Sequence, residues 1–124
     1  MKGAKYLQTN GIIHRDLKPA NILIKDGVCK ISDFGFAKNT ATNAFLRSIV
    51  GTPLYMSPQL LKGIRYTSKS DLWSIGLIYY EMLHGCTPWP ANNEVQLLNA
   101  IYSRKPVCSR NITDLSRDFI EKCL

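Results

Sequence analysis

Residues 14–21 read His-Arg-Asp-Leu-Lys-Pro-Ala-Asn, and the interpretation of the whole chain starts from this stretch. It places a carboxylate (Asp16), a cation (Lys18) and an amide (Asn21) close together, and Pro19 fixes one φ angle between them. A carboxylate can take a proton from an attacking hydroxyl, a cation can stabilise charge that develops during group transfer, and an amide oxygen suits Mg²⁺. The stretch therefore carries the types of side chain that a catalytic loop needs. The alternative is a solvated turn with a chance Arg-Asp pair.

Length and composition indicate one globular domain at most. The 124 residues are 45% hydrophobic and 20% charged, which argues against disorder. Sixteen Lys and Arg against nine Asp and Glu give a net charge of +7. The charges are scattered, without a basic run, zinc-finger spacing or aromatic-basic alternation, so the sequence does not favour nucleic-acid binding.

Cysteine usage and hydropathy bear on location. The four cysteines lie far apart without a C-x-x-C pair, so we predict neither a zinc site nor a thioredoxin-like site. Reduced thiols suit a cytoplasmic or nuclear protein. The N-terminal residues are too polar for a signal peptide, and the longest apolar stretch, residues 72–83, is too short to span a bilayer.

A predicted hairpin and a second motif follow the loop. Ile22-Leu23-Ile24 and Val28-Cys29-Lys30-Ile31 flank Asp26-Gly27, which predicts two antiparallel strands joined by a tight turn. Asp33-Phe34-Gly35 comes directly afterwards, twelve positions beyond Asn21.

Together these motifs resemble the eukaryotic-type serine/threonine protein kinases, whose signatures include H-R-D-L-x-x-x-N and D-F-G. The calmodulin-dependent and autophagy-initiating groups are the most similar. The resemblance implies an α+β fold, namely the mainly helical C-terminal lobe of a protein kinase with a small β-hairpin next to the catalytic loop. It covers nearly all of residues 1–124, which we expect to be a partial kinase domain, truncated at both ends, with the N-lobe absent.

The resemblance also implies a reaction and its cofactors, ATP and Mg²⁺. The γ-phosphate of ATP would pass to a Ser or Thr hydroxyl of a protein substrate. Asp16 would act as the base, and Lys18 would lie against the phosphoryl oxygens. Asn21 and Asp33 would bind the metal.

Five further residues are implied to support this site. Ile22 and Leu23 would lie under the adenine ring, although a plain core position is the alternative for both. His14 and Phe34 would pack together in an apolar spine, and Asp71 would hold backbone amides of the catalytic loop.

Residues 36–56 show little periodicity, as expected of a mobile activation segment. Its end, Gly51-Thr52-Pro53-Leu54-Tyr55-Met56, resembles a substrate-docking loop in which Thr52 would hydrogen-bond toward the catalytic loop. Ser48 falls where many relatives carry an activating phosphate. Phospho-Ser48 would pair with Arg15, whereas the alternative is an unmodified loop serine.

One position departs from the family pattern. Ser57-Pro58-Gln59 stands where relatives have Ala-Pro-Glu. Gln59 can accept a hydrogen bond but cannot form the ion pair of that Glu, which weakens the case for full activity.

Ser70 is predicted to cap a helix that runs from Asp71 to about His84 and stops at Gly85. Its apolar residues point in nearly all directions, which predicts burial on every side. Glu81 would then need a partner. We expect it to border the substrate groove, where it reads a basic substrate residue or forms a buried salt bridge.

Two shorter helices complete the predicted order, with Asn93 and Thr113 as their caps. The first is predicted to turn three apolar residues inward: Val95, Leu98 and Ile101. The second is predicted to turn four inward: Leu115, Phe119, Ile120 and Cys123.

Two functions remain open from the sequence. Intact Asp16, Lys18, Asn21 and Asp33 favour an ATP-dependent protein serine/threonine kinase. The absence of a G-x-G-x-x-G loop and a V-A-I-K strand favours a catalytically inactive kinase-like fragment that binds proteins. The substrate, the upstream activator and the oligomeric state are not specified.

Overall fold

The computed structural model describes residues 2–39, 53–64 and 66–124. These residues form helices and short strands, joined by 3₁₀ turns at Pro19–Asn21 and Pro53–Tyr55. In chain order the elements are α1 (Lys2–Thr9), β1 (Ile12–Ile13), β2 (Ile22–Lys25), β3 (Val28–Ile31), β4 (Lys38–Asn39), α2 (Pro58–Leu61), α3 (Ser68–His84), α4 (Glu94–Ser103) and α5 (Asp114–Cys123). This mainly helical arrangement with small antiparallel sheets agrees with the predicted α+β class. None of the described helices is long and apolar enough to cross a membrane.

The predicted hairpin is confirmed. Strands β2 and β3 pair antiparallel, with Ile22 opposite Ile31. Asp26 and Gly27 have φ angles of 52° and 71°, and two positive φ values in succession characterise the turn that best matches the twist of paired strands. The hairpin therefore joins the catalytic loop to the Asp33 motif by a short, fixed route.

A second pair of strands joins the two ends of the segment that contains the catalytic loop and the hairpin. Strand β1, which enters the catalytic loop, pairs antiparallel with β4, and Ile12 lies opposite Asn39. The segment between residues 12 and 39 therefore begins and ends at the same pair of strands, β1 and β4.

Helix α3 begins earlier than the sequence predicts. It starts at Ser68 with Thr67 as the N-cap, so the assignment of Ser70 as the cap is wrong. Ser70 is instead the third helical residue, and its hydroxyl accepts a hydrogen bond from Thr67 N–H at 3.3 Å, one arm of a capping box. Gly85 ends the helix in the left-handed region at φ 73°, as predicted.

The prediction that α3 is buried on every side is also wrong for the described residues. Leu72, Met82 and Leu83 are exposed. The helix packs against β1, the Pro53–Tyr55 turn and α5, which cover only part of its circumference. The apolar composition of α3 did not show which side of the helix these neighbours leave exposed.

Both shorter helices have the predicted caps. The side-chain oxygens of Asn93 and Thr113 accept hydrogen bonds from backbone N–H groups three residues on. The predicted inner faces are partly wrong. In α4 the buried residue is Leu97, with Leu98 and Ile101 half-buried and Val95 exposed. In α5 Ile120 is fully buried and Phe119 and Cys123 are half-buried, but Leu115 is exposed.

The described residues form two core clusters, and Leu61 packs against both. In one of them Trp73 and Trp89 stack with ring centroids 5.5 Å apart, together with Leu77 and Leu97. The other cluster is formed by Ile13, Met56, Leu60 and Tyr66, and it connects β1 to α2 and the residues before α3. This second cluster lies directly behind the catalytic loop.

We predict that Gly76→Ala destabilises the protein. A Cβ at Gly76 in α3 would come within 2.5 Å of Cys123 Cβ in α5. Overpacking costs about 1–3 kcal/mol, whereas Gly to Ala in a helix gains roughly 0.5–1 kcal/mol, so the clash should win. Denaturant unfolding should show a loss of about 1 kcal/mol or more. Gly3→Ala is the control, because its Cβ meets only the flexible tip of Ile31 at 3.3 Å. Equal stability of the two variants would contradict this prediction.

Candidate active site

Asp71 fixes the backbone at the start of the catalytic loop. His14 N–H donates to Asp71 Oδ2 at 2.8 Å, and Arg15 N–H donates to Asp71 Oδ1 at 3.1 Å. The sequence reasoning placed Asp71 against loop amides, and these hydrogen bonds are present in the structure. All three residues are buried, so the two amides would otherwise lack an acceptor in the protein interior.

Burial raises the pKa of Asp71, and the two N–H donors act in the opposite direction. The ionised carboxylate is therefore costly to bury, and its two hydrogen bonds offset part of that cost. Its place in the first turn of α3 adds a favourable interaction with the helix dipole.

The loop has a strained backbone at Arg15. Its φ angle is 74°, in the left-handed region that non-glycine residues seldom adopt. The carbonyl of Arg15 accepts a hydrogen bond from Tyr66 Oη at 3.0 Å, and the guanidinium carbon lies 5.5 Å from the centroid of the Tyr66 ring. Asp71 and Tyr66 thus hold the N–H and the carbonyl of the same strained residue.

Asp16, the predicted base, is buried and held by two other predicted site residues. Lys18 Nζ lies 2.8 Å from Asp16 Oδ2, and Asn21 Nδ2 donates to the same oxygen at 3.1 Å. Asn21 Nδ2 also donates to the backbone carbonyl of Asp16 at 2.8 Å. The side chain of Lys18 remains 26% exposed while that of Asp16 is 4% exposed, so the cation lies at the mouth of the site.

The catalytic loop is tied to the residue before Asp33. Ser32 N–H and Ser32 Oγ donate to the Asn21 carbonyl at 2.9 Å and 3.1 Å. His14 Nε2 lies 3.0 Å from the Ser32 carbonyl. Because a carbonyl only accepts, Nε2 carries the proton, which leaves Nδ1 to accept from Asp16 N–H at 3.4 Å. His14 therefore bridges the two motifs.

Phe34 packs against His14, as the sequence reasoning expects. The ring centroids are 5.0 Å apart at 64°, an edge-to-face contact. Asp33 is exposed, with φ 59°, and its Oδ1 accepts a hydrogen bond from Gly35 N–H at 3.3 Å. Its carboxylate thus stands at the surface, one residue from the Ser32–Asn21 contact.

This geometry agrees with a comparison against known families, in which the sequence matches the protein kinase domain over residues 1–124. The chain belongs to the protein kinase domain family.

Curated relatives place it with the eukaryotic-type serine/threonine kinases. The serine/threonine-protein kinase ATG1c of Arabidopsis thaliana is 40% identical over 126 residues, covering 98% of this chain and 17% of the relative. The Arabidopsis serine/threonine-protein kinase TIO is 50% identical over 103 residues, covering 82% of this chain and 8% of the relative. Human protein kinase C delta type is 41% identical over 124 residues, covering 98% and 18%.

These matches support the predicted resemblance to the autophagy-initiating kinases, since ATG1 proteins of several organisms are among them. The resemblance to calmodulin-dependent kinases stays a prediction. The chain spans less than a fifth of the length of the three relatives described above.

The donor set fits a kinase magnesium site. Across the described ranges no group of three or more His, Cys, Asp or Glu side chains is arranged to hold a metal ion. Mg²⁺ in phosphoryl-transfer sites, however, takes only one or two protein oxygens, and substrate phosphates and waters complete its shell. Asn21 directs its amide nitrogen to Asp16, so its amide oxygen faces away. This oxygen and the Asp33 carboxylate are oxygen ligands of the kind that Mg²⁺ prefers.

The two residues predicted to lie under adenine differ in exposure. Ile22 is half-buried, whereas Leu23 is 55% exposed on β2. The alternative interpretation of Leu23 as plain core does not fit this exposure. Leu23 instead offers an apolar surface next to Asn21.

Several regulatory predictions fall outside the described residues. Ser48 and Thr52 are among them, so the structure does not bear on their roles. Arg15, the predicted partner of phospho-Ser48, is buried at 4% exposure. Gln59 is exposed at the start of α2.

Glu81 has a partner that the sequence reasoning did not name. Tyr55 Oη donates to Glu81 Oε2 at 2.7 Å, and Ser74 Oγ donates to the Tyr55 carbonyl at 2.8 Å. Burial raises the pKa of Tyr55, and the hydrogen bond and charge of Glu81 raise it further. Among the described residues Glu81 forms no salt bridge, so it stands at the border of the docking loop with a phenol as its partner.

Sequence reasoning missed Tyr66. It is 2% exposed and, unlike Asp71, contacts the loop through a carbonyl. The sequence shows only an aromatic residue directly before the Thr67 cap. An apolar residue is common at that position, where it packs against the first turn of a helix, so Tyr66 did not stand out.

We predict that Asp71→Ala strongly destabilises the protein. It leaves two buried N–H groups without an acceptor, at about 1–3 kcal/mol each, and relief of the buried charge offsets part of this. Denaturant unfolding should show a net loss of about 2 kcal/mol or more. Asp118→Ala is the control, because its ion pair with Lys122 is exposed and should contribute less than about 1 kcal/mol. A loss no larger than that of the control would refute the anchoring role of Asp71.

Proposed function

We propose that this chain supplies the catalytic loop and metal-binding loop of an ATP-dependent protein serine/threonine kinase. The observation that carries the proposal is the buried carboxylate of Asp16, which Lys18 and Asn21 hold at 2.8 Å and 3.1 Å on a loop anchored to Asp71. Phosphoryl transfer depends chiefly on positioning and electrostatics, so a carboxylate held by two partners on an anchored loop suits the reaction.

Asp16 would orient the hydroxyl of a Ser or Thr in the protein substrate and accept its proton. As the oxygen–phosphorus bond to the substrate forms, the bond between the γ-phosphorus and the ADP oxygen breaks, and ADP leaves. The hydrogen bonds from Asn21 keep the Asp16 carboxylate facing one direction, which limits the reorganisation that the reaction would otherwise need.

Lys18 would stabilise the charge on the transferring phosphoryl group. Its ammonium already lies beside Asp16 and remains partly accessible, so the base and the cation face the same space.

Asn21 and Asp33 would hold Mg²⁺, and Ile22 and Leu23 would contact the adenine of ATP. When bound, the metal would neutralise charge on the phosphates. The hairpin and the Ser32–Asn21 hydrogen bonds fix Asn21 relative to the residue before Asp33. They would therefore set the distance between the two proposed metal ligands. A cytoplasmic or nuclear location stays a prediction.

A protein-binding role without catalysis is the second candidate. Leu72, Met82 and Leu83 on α3 are exposed apolar residues, which favour contact with another protein surface. The two functions separate cleanly, because a binding role would survive the loss of the Asp16 carboxylate.

We predict that Asp16→Asn in the full-length enzyme lowers phosphate transfer to a peptide by at least about 100-fold, since general bases contribute 10²–10⁴. The fold should be retained, because the amide oxygen can still accept from Asn21. Transfer of labelled phosphate measures the rate, and thermal unfolding measures the fold. Asp26→Asn in the hairpin turn is the control and should be fully active. An active Asp16→Asn enzyme would show that another group is the base.

We predict that Ser48→Ala lowers the activity of enzyme isolated in its phosphorylated state. The proposed phosphate at Ser48 would form charge-assisted hydrogen bonds with Arg15 and order the segment that carries substrate. Peptide phosphorylation after phosphatase treatment should fall to the level of Ser48→Ala. Ser103→Ala at the exposed end of α4 is the control. Unchanged activity of Ser48→Ala would mean that Ser48 is an ordinary loop serine.

A further inference from the structure

The peptide group between Arg15 and Asp16 is held by a residue outside every motif of the sequence. Its carbonyl oxygen, which belongs to Arg15, accepts a hydrogen bond from Tyr66 Oη at 3.0 Å. Its nitrogen, which belongs to Asp16, faces His14 Nδ1 at 3.4 Å, a long and weak contact. Of these two described contacts, the hydrogen bond from Tyr66 is the shorter and stronger restraint on the peptide group.

That peptide group sets the direction in which the Asp16 side chain leaves the backbone. Arg15 has φ 74°, a conformation that costs about 1–2 kcal/mol for a residue with a Cβ and persists only where its surroundings enforce it. Asp71 fixes the N–H side of Arg15 at 3.1 Å, and Tyr66 fixes the carbonyl side. Without the phenol, ψ of Arg15 would lose one restraint, and a change in ψ would move Asp16 relative to Lys18 and Asn21.

Tyr66 is itself rigidly placed. It packs in the cluster of Ile13, Met56 and Leu60 and is 2% exposed. It lies directly before Thr67, the cap of α3, while Asp71 lies in the first turn of the same helix. Both contacts to Arg15 therefore come from the first turn of α3 and from the residue before its cap.

We propose that Tyr66 is a positioning residue for phosphoryl transfer, acting through the Arg15 carbonyl to hold Asp16 in its reactive orientation. This inference rests on the proposed function of Asp16 as the base. It assigns Tyr66 an effect on turnover rather than on the binding of either substrate, because it contacts neither the metal-binding residues nor Leu23 among the described contacts.

The test is Tyr66→Phe in the full-length enzyme, which keeps the ring in the cluster and removes only the hydroxyl. Displacement of a reacting group by about 1 Å can cost on the order of 100-fold, so kcat should fall about tenfold or more. KM for ATP and for the peptide should stay within roughly twofold, since a change in kcat alone marks an interaction made in the transition state.

Tyr80→Phe is the matched control. Tyr80 lies on α3, is 5% exposed and donates to a backbone carbonyl, that of Val107, at 2.7 Å. Loss of the Tyr80 hydroxyl should lower the melting temperature about as much as Tyr66→Phe does and should leave kcat unchanged. A fall in kcat of similar size in both variants would mean that Tyr66 only stabilises the fold, which overturns the proposal.

Hydrogen exchange supplies a readout that does not need activity. The amide protons of residues 14–16 should exchange about tenfold faster in Tyr66→Phe than in the wild type and should not change in Tyr80→Phe. Unchanged exchange at these residues would contradict the proposal even if kcat fell.

The Asp16→Asn background separates this inference from the function on which it rests. If Tyr66 acts through the Asp16 carboxylate, adding Tyr66→Phe to Asp16→Asn should not lower the residual rate further. The same factor in both backgrounds would overturn the positioning role alone. Full activity of Asp16→Asn would instead remove the proposed base, and the inference about Tyr66 would fall with it.

Discussion

The two hydrogen bonds that Asp71 accepts from His14 and Arg15 are the contacts on which the rest of this site depends. They join a loop near the start of the chain to the first turn of the longest helix that the structure describes, and they hold a residue whose backbone would otherwise relax. The carboxylate that accepts them is itself costly to bury, since burial raises its pKa. The two hydrogen bonds offset part of this cost and give the loop a fixed shape.

The contacts around Asp16 depend on the two hydrogen bonds that Asp71 accepts. Asn21 and Lys18 lie on the same loop as Asp16, so they can hold its carboxylate only if the loop keeps one path. Ser32 and His14 then connect this loop to the segment that carries Asp33. A substitution in the core of α3 can therefore affect Asp16 and Asp33 without touching them, through a connected network of hydrogen bonds.

Sequence was sufficient where a local pattern or a motif at fixed spacing carried the information. The hairpin followed from Asp26-Gly27, and the contacts of Asp71 followed from the resemblance to kinases.

Sequence was insufficient where neighbours distant in sequence decide the outcome. Leu115 and Val95 fit an inner helical face but are exposed, because the packing partners of α4 and α5 select a different stripe. Ser70 was mistaken for a cap because Ser at the cap and at the third helical residue look alike without the backbone. Tyr66 carried no motif, and only its hydrogen bond to Arg15 distinguishes it from other buried aromatic residues.

The difference in sequence separation between these contacts has a consequence for the order of folding. The β2–β3 hairpin closes a turn of only Asp26 and Gly27, and the His14–Ser32 contact spans 18 residues, so both can form early by local search. The contacts of Arg15 with Tyr66 and Asp71 span 51 and 56 residues and require α3 to dock. Because long chain segments close late, the strained turn at Arg15 should be among the last features to form. A nascent chain would then have its β2–β3 hairpin assembled before the loop around Asp16 takes its final path, and that loop would reach its final shape only when folding is complete.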